Sequence, residues 1–289
     1  MTFPSHPTFG PGGNSESFYD EGNRSTLTAP KWVKDRGLDA YEYQAGNGLT
    51  AGDETLRKIG DAAREAGILM SFHAPYFISL SGMEEEKRLK SIDYISRSLH
   101  ASALLGADTV VIHTGSAAKI SREEAMALAS DTLRRNLEVN GDTPIRMGLE
   151  TMGKINQLGT LDEVLTLCKL SPLYCPVVDF GHLNARMLGG AFLTSDDYRR
   201  VFDAVGSALG DEYAKHMHCH FSRIEYTKAG EKKHLTFSDT EYGPDFEPLA
   251  EAIVREGVCP RIICESAGTM AEDAITMKKL WQQAKGDTL

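Results

Sequence analysis

Short apolar runs alternate with longer amphipathic stretches along the whole chain. Most of the runs are four to seven residues long, and several are rich in β-branched residues. This pattern is typical of parallel strands that are buried on both faces. It predicts eight strands, at residues 7–9, 40–43, 68–72, 109–112, 146–149, 176–178, 215–221 and 261–264.

The stretches between these runs carry their apolar residues on one helical face. Leu56 and Ile59 begin one such face, which continues at helical spacing up to Ala66. Another stretch opens with the sequence SREE, in which Ser121 caps the first turn and Glu124 reaches back to it. The predicted helices cover residues 29–36, 54–66, 84–105, 121–139, 161–170, 195–209, 246–256 and 270–284.

The order of these elements, with a helix after each strand, predicts an α/β fold of the (β/α)8 barrel type, the TIM barrel. We expect a single domain over residues 1–289, because such barrels commonly reach about 250 residues. A doubly wound parallel sheet is the alternative, but no GxGxxG sequence opens the first helix. The number of strand–helix units favours the barrel.

Composition narrows the class of protein without identifying it. With 41% hydrophobic and 25% charged residues, the sequence is that of a globular protein and not a disordered or fibrous one. No run approaches the roughly 18 apolar residues of a membrane helix, and the first residues do not resemble a signal peptide. Five cysteines without a CxxC pair suit reduced thiols. We therefore expect a cytoplasmic monomer without membrane attachment.

Polar residues stand at the C-terminal ends of the predicted strands, which meet on one rim of a barrel where active sites lie. Singly, such residues are more often core groups or helix caps, but together they need cations to share one pocket. The net charge of −10 argues against bulk attraction to nucleic acid, although carboxylates that bind metal ions count here as free charge. Nitrogen and oxygen ligands suit Zn²⁺, Mn²⁺ or iron, and their number exceeds what one ion needs. The residues are Gln44, His73, His113, Glu150, Asp179, His218 with His220, and Glu265, joined by His182 and by His234 in the loop after the seventh strand.

One further histidine, His216, has a different expected role. It shares a predicted strand face with His218 and His220, because side chains alternate along a strand with a period of two residues. We expect His216 to lie deeper in the barrel as a hydrogen-bonded core residue.

The residues at the strand ends lie in six local sequences. These read SFHAPYFISLSG, VVIHTGS, GLET, VVDFGHLNA, MHCHFS and CES. They run from the third to the eighth predicted strand and resemble the endonuclease IV family of apurinic/apyrimidinic endonucleases. The pairing of His-Ala-Pro-Tyr after the third strand with Asp-x-x-His after the sixth is specific, whereas the first seventy residues match more loosely.

This resemblance implies a trinuclear zinc site in which Glu150 bridges two ions. His218 is matched through its Met-His pair, and His220 is the alternative. Lys232 stands where the family has an aspartate ligand of the third ion, and the adjacent Glu231 compensates only if the loop shifts. The first two sites are therefore expected to be complete and the third to lack one ligand. The implied ligands are His73, His113 and Glu150 for the first ion, Asp179, His218 and Glu265 for the second, and His182 and His234 for the third.

The resemblance also implies the reaction, hydrolysis of the phosphodiester 5′ to an abasic site in double-stranded DNA during base excision repair. Glu265 would orient or deprotonate the attacking water, and Glu150 would act as the bridge. Tyr76 would stack where a nucleotide is turned out of the duplex, unless it only packs on its loop. His220, where the family more often has asparagine, is a further substrate-binding candidate.

Two other functions remain open. A sugar isomerase or epimerase on the same barrel holds one divalent ion with a Glu, Asp, His, Glu set. Such an enzyme has no need of the four additional histidines, whose joint presence favours the nuclease. The other is a protein that binds metal or abasic DNA without turnover, since barrels host many chemistries. The single-ion set would be Glu150, Asp179, His218 and Glu265.

Overall fold

Eight parallel strands and a short antiparallel hairpin form the β-structure of this computed structural model, which describes residues 3–286. The strands are β1 (Thr8–Pro11), β2 (Ala40–Gln44), β3 (Leu69–His73), β4 (Thr109–His113), β5 (Arg146–Glu150), β6 (Tyr174–Asp179), β7 (His218–Phe221), β8 (Ile224–Thr227), β9 (Gly230–His234) and β10 (Arg261–Cys264). The parallel strands lie in the order β1-β10-β7-β6-β5-β4-β3-β2, and β8 pairs with β9. The predicted (β/α)8 barrel is confirmed.

Helices connect the strands and cover the outside of the sheet. The capping box predicted at Ser121 is present, Thr160 forms a second one, and Gly67 ends a helix with a φ of 68°. In the described part of the chain no helix is both long and apolar enough to cross a bilayer. The helices are α1 (Glu16–Asp20), α2 (Ala29–Asp35), α3 (Asp53–Ala66), α4 (Glu85–Leu105), α5 (Arg122–Asn140), α6 (Leu161–Cys168), α7 (Phe180–Arg186), α8 (Ser195–Leu209), α9 (Asp211–Lys215), α10 (Glu247–Glu256) and α11 (Met270–Lys285).

The hydrophobic core lies between the outer face of the sheet and the helices. Phe72 and Val110, for example, are fully buried in it. Since side chains alternate along a strand, the neighbouring positions face the barrel interior. There the chain places polar residues such as Glu42 and Ser71, both fully buried, where barrels more often have branched apolar ones.

The barrel closes at a seam between β1 and β2. These strands are joined by an isolated bridge between Gly12 and Glu42 instead of a continuous ladder. Gly10 allows the close approach, because a Cβ at this position would lie 1.8 Å from the carbonyl oxygen of Ala40.

Three predictions were wrong around β7 and the hairpin that follows it. The strand begins at His218 instead of residue 215, because the preceding residues form α9. His216 therefore lies outside the strand, with its ring stacked on Phe3 at a centroid distance of 4.5 Å, and not in the barrel interior. His234, expected in a loop, ends strand β9.

Candidate metal centre

A cavity of about 420 Å³ opens at the C-terminal ends of the strands. Histidine and carboxylate side chains line it and continue beneath it. They form four groups, and within each group the ligand atoms lie within 4.8 Å of one another. The first group is His73, His113 and Glu150; the second is Glu150, Asp179, His220 and Glu265; the third is His182, Glu231 and His234; and the inner group is Glu42, His218 and His220.

The first group lies at the ends of β3, β4 and β5. Nε2 of His73 lies 3.4 Å from Oε2 of Glu150, and Nε2 of His113 lies 3.1 Å from the same oxygen. Nδ1 of His73 donates to the backbone carbonyl of Ala74 at 2.9 Å. Because that carbonyl only accepts, Nδ1 keeps its proton and Nε2 is the nitrogen available to an ion.

The second group shares Glu150 with the first. Nδ1 of His220 lies 2.9 Å from Oε1 of Glu150 and 3.5 Å from Oε1 of Glu265. Asp179 ends β6 and caps α7, where its Oδ1 accepts from the backbone N–H of His182 at 2.7 Å. Glu150 thus turns one carboxylate oxygen to each group and connects them.

The third group joins α7 to the hairpin. Nε2 of His182 lies 3.5 Å from Oε2 of Glu231, and the rings of His182 and His234 are 5.4 Å apart between centroids. Nδ1 of His182 donates to the backbone carbonyl of Thr151 at 2.9 Å, and Nδ1 of His234 lies 2.8 Å from the Ser222 hydroxyl. Nδ1 of both rings is therefore engaged by contacts within the protein, which leaves Nε2 of each ring for an ion.

A β-bulge at Lys232 places Glu231 in this group. Glu231 and Lys233 pair with adjacent residues of β8, so Lys232 is an extra residue on β9. Residues three apart on a regular strand face opposite sides, but one extra residue brings Glu231 and His234 to the same side. The ammonium of Lys232 pairs instead with Glu225. The bulge thus brings Glu231, which the sequence offered only as a conditional replacement, close to His182 and His234.

The hairpin packs directly on the loop after β5. Gly230 has a φ of 88°, and a Cβ there would lie 2.2 Å from the carbonyl oxygen of Gly153. The guanidinium of Arg186 donates to four backbone carbonyls of this loop at 2.7–3.1 Å. These contacts hold Lys154 beside the cavity, which it lines. Sequence reasoning missed Lys154, since a lysine in a loop carries no signal of its own.

The structure separates the two histidines of β7. His218 lies one layer deeper than His220, and its Nε2 donates to Oε2 of Glu42 at 3.1 Å. The geometry therefore brings His220, and not His218, into the second group. Tyr76 is 54% exposed on the rim, with its ring stacked on that of His113 at 5.3 Å. Glu42 was missed by the sequence reasoning because it stands within a strand, not at its end.

The electrostatics of the groups indicate that cations are needed. Burial raises the carboxyl pKa of Glu150, but the surrounding imidazoles, His220 foremost, outweigh it and hold that pKa well below its usual value. Burial raises the pKa of Asp179, and the charges of Glu265 and Glu150 add to the rise. Oδ2 of Asp179 is buried without a hydrogen-bond partner among residues 3–286, and the buried Oε2 of Glu150 faces the rings of His73 and His113.

A buried carboxylate oxygen without a partner is costly, and a bound cation removes that cost. The donor set of imidazole nitrogens and carboxylate oxygens suits Zn²⁺, with Mn²⁺ as the alternative. The residues present therefore fit divalent metal ions.

Zn²⁺ binding is expected to release protons and to weaken as the pH falls. In the metal-free protein burial lowers the pKa of His73, but Glu150 outweighs it and raises the pKa to about 9. The pKa of His182 is likewise about 9, because Asp179 and Glu231 outweigh burial. Both rings carry an extra proton at neutral pH and must lose it before they bind an ion.

Zinc affinity measured by chelator competition should therefore rise between about pH 6.5 and about pH 8.5, by up to ~tenfold per pH unit for each proton released. Direct proton release in weak buffer serves as the second measurement. An affinity that is constant over this interval, without proton release, would contradict the assignment of these rings as ligands.

The chain has relatives in sequence, and one of the two described next carries the name of the endonuclease IV family. An uncharacterized protein of Methanocaldococcus jannaschii is 30% identical over 251 residues, which are 85% of this chain and 88% of that protein. The probable endonuclease 4 of Acholeplasma laidlawii is 31% identical over 144 residues, 44% of this chain and 49% of that protein. The resemblance to the endonuclease IV family is confirmed by this second relative.

Solved structures with the same fold carry names from different enzyme classes. Endonuclease IV from Thermus thermophilus superimposes with a TM-score of 0.70 at 17% identity, covering 98% of this chain and 100% of the other. A D-tagatose 3-epimerase-like protein gives a TM-score of 0.70 at 18% identity and covers 96% of each chain. At these identities the likeness shows the fold alone. The sequence model of the family described as xylose isomerase-like TIM barrel matches residues 30–283, and the chain therefore belongs to the xylose isomerase-like TIM barrel family.

Proposed function

We propose that this protein is a metal-dependent endodeoxyribonuclease that hydrolyses the phosphodiester 5′ to abasic sites in double-stranded DNA. The observation that carries the proposal is the third group, His182, Glu231 and His234. An enzyme that works with one ion has no use for this group, whereas nucleases with several ions use separate ions for the attacking and leaving oxygens of the phosphodiester. A relative named probable endonuclease 4 supports the same class of reaction.

In this proposal Zn²⁺ is the resident ion and each of the first three groups holds one. Glu150 would contribute to both the first and the second site, and His220 would take the place first given to His218, because its Nδ1 faces Glu150 and Glu265. When bound, ions in such a site supply an activated water and neutralise the charge that develops on the phosphate oxygens.

The second group also suggests which residue acts on the water. The side chain of Glu265 is 14% exposed, whereas that of Glu150 is fully buried, as is Asp179. Glu265 is thus the carboxylate of this group that a water entering from the cavity meets first. We assign to Glu265 the orientation and deprotonation of the attacking water.

The rim offers contacts for a nucleic acid. The exposed ring of Tyr76 can stack on a base next to the lesion, at a position where turning a nucleotide out of the duplex costs least. Lys154 brings a cation to the edge of the cavity, beside the third group. Three divalent ions would also offset six of the ten net negative charges of the chain, at the place where phosphate binds.

A one-ion sugar isomerase or epimerase is the second candidate. The observation in its favour is that the second group alone provides a complete Glu, Asp, His, Glu set. A D-tagatose 3-epimerase-like protein shares the fold. This alternative leaves the third group and the bulge that completes it without a role.

The metal content of protein purified without added metal distinguishes the two candidates. We expect more than one zinc per chain, together with cleavage of a duplex carrying one abasic site, on its 5′ side. An undamaged duplex of the same sequence is the matched control. A single ion per chain, an intact abasic duplex and epimerisation of a ketose would reject the nuclease in favour of the second candidate.

A further inference from the structure

The inner group shares His220 with the second group, but its other members lie beneath the proposed ligands and have no part in the reaction proposed above. It consists of Glu42 from β2 with His218 and His220 from β7, and Ser71 from β3 adjoins it. All four residues are at most 2% exposed. An ionised carboxylate in a closed barrel interior is costly unless it is paired, so these contacts call for an explanation.

The contacts converge on the carboxylate of Glu42. Its Oε2 accepts from the Ser71 hydroxyl at 2.8 Å and from Nε2 of His218 at 3.1 Å. Its Oε1 lies 3.0 Å from Nε2 of His220 and accepts from Nε2 of Gln44 at 3.3 Å. Ser71, His218 and Gln44 thus hold the carboxylate from three sides, and the fourth neighbour is the ring of His220.

The two nitrogens of His220 therefore face different surroundings. Nδ1 points to Glu150 and Glu265 in the second group, and Nε2 points to Glu42. A histidine that binds a metal commonly gives its other ring N–H to a carboxylate, which fixes the tautomer and the orientation of the ring.

We propose that Glu42, held by Ser71 and His218, is a positioning residue that orients His220 so that Nδ1 is presented to the ion of the second group. In this arrangement His218 is not a ligand but part of the support. This inference rests on the metal centre proposed above. It also explains why β7 carries two histidines two residues apart, one for each layer of the barrel interior.

The test uses Glu42→Gln, which keeps the size of the side chain but turns an amide N–H₂ towards a ring nitrogen. We expect the affinity of one zinc ion to fall by about 10- to 100-fold, as for other residues that support a metal ligand. The visible spectrum of the Co²⁺-loaded variant is expected to change, since it reports the arrangement of the ligands and not the stability of the fold. Ser71→Ala, which removes one support, is expected to have the same effect to a smaller degree.

Asp108→Asn is the matched control, because it removes a carboxylate that pairs with Arg261 at the opposite end of the barrel. It should leave zinc affinity and the Co²⁺ spectrum unchanged, whatever its effect on the melting temperature. If Glu42→Gln does not fold, Ser71→Ala decides the matter by the same two measurements.

Three outcomes separate the alternatives. Unchanged zinc affinities and an unchanged Co²⁺ spectrum in both variants would overturn the positioning role while leaving the metal centre intact. A fourth zinc ion per chain that is lost in His218→Asn while the other three remain would show that the inner group binds its own metal, which also overturns it. Wild-type protein that binds no divalent ion would refute the proposed function itself.

Discussion

A Glu150→Gln variant is expected to cleave abasic DNA about a thousandfold more slowly than the wild type, which corresponds to about 4 kcal/mol of activation free energy. Glu150 is the one carboxylate shared by the first and second groups, with one oxygen turned to each. An amide has a single acceptor oxygen, so it cannot face both groups with negative charge. The ions of both groups are therefore expected to bind more weakly. Cleavage rate and zinc content measured on the same preparation check this prediction.

The control for this variant has to separate lost chemistry from lost stability. Asp108→Asn serves again, since it removes a largely buried carboxylate far from the cavity. It is expected to lower the melting temperature without changing the zinc content. A Glu150→Gln variant that retains all its zinc and cleaves at a similar rate would rule out the bridging role.

Replacing Glu231 by glutamine is expected to remove the third ion and to slow cleavage by about 100-fold, or ~2.7 kcal/mol, whereas Lys232→Ala changes little. The reason lies in the bulge, which turns Glu231 towards His182 and leaves Lys232 paired with Glu225 outside the group. Deletion of Lys232 is the sharper variant. It removes the extra residue and turns Glu231 and His234 to opposite sides of the strand.

Zinc content and cleavage rate of the three variants show whether Glu231 or Lys232 serves the third ion. Loss of one ion in Glu231→Gln and in the deletion, but not in Lys232→Ala, is the expected pattern. Full zinc content in Glu231→Gln would show that Glu231 is not a ligand. Full activity of the deletion variant would show that the third group does not serve the reaction.

The convergence of His73, His113, Glu150 and Asp179 could be predicted from the sequence. Each ends a short apolar run, and the ends of parallel strands meet on one rim. What the pattern could not show was which histidine of β7 reaches the second group. His218 and His220 have the same parity, so both face the interior, and the predicted bounds of the strand did not fix which of them lies at the level of Glu150 and Glu265.

The hairpin escaped prediction for a different reason. Residues 230–234 read GEKKH, which lacks the apolar alternation of a strand. The hairpin is held largely by backbone contacts, such as that between Glu231 N–H and the carbonyl of Gly153 at 3.1 Å. Backbone contacts of this kind cannot be recognised from the pattern of side chains, and neither can the bulge. The sequence therefore predicted Glu231 as a ligand only on the condition that the loop shifts.

The seam between β1 and β2 has a consequence for where the barrel opens locally. The proposed ligands of the first and second ions come from β3, β4, β5, β6, β7 and the end of β10, which are consecutive neighbours around the sheet. Ions bound to them would tie these six strands into one unit, while β1 and β2, on either side of the seam, would stay outside it. Local openings follow the least connected part of a fold. Metal binding should therefore slow hydrogen exchange in the six ligand-bearing strands much more than in β1 and β2. Local opening of the metal-bound barrel is then expected to begin at the seam.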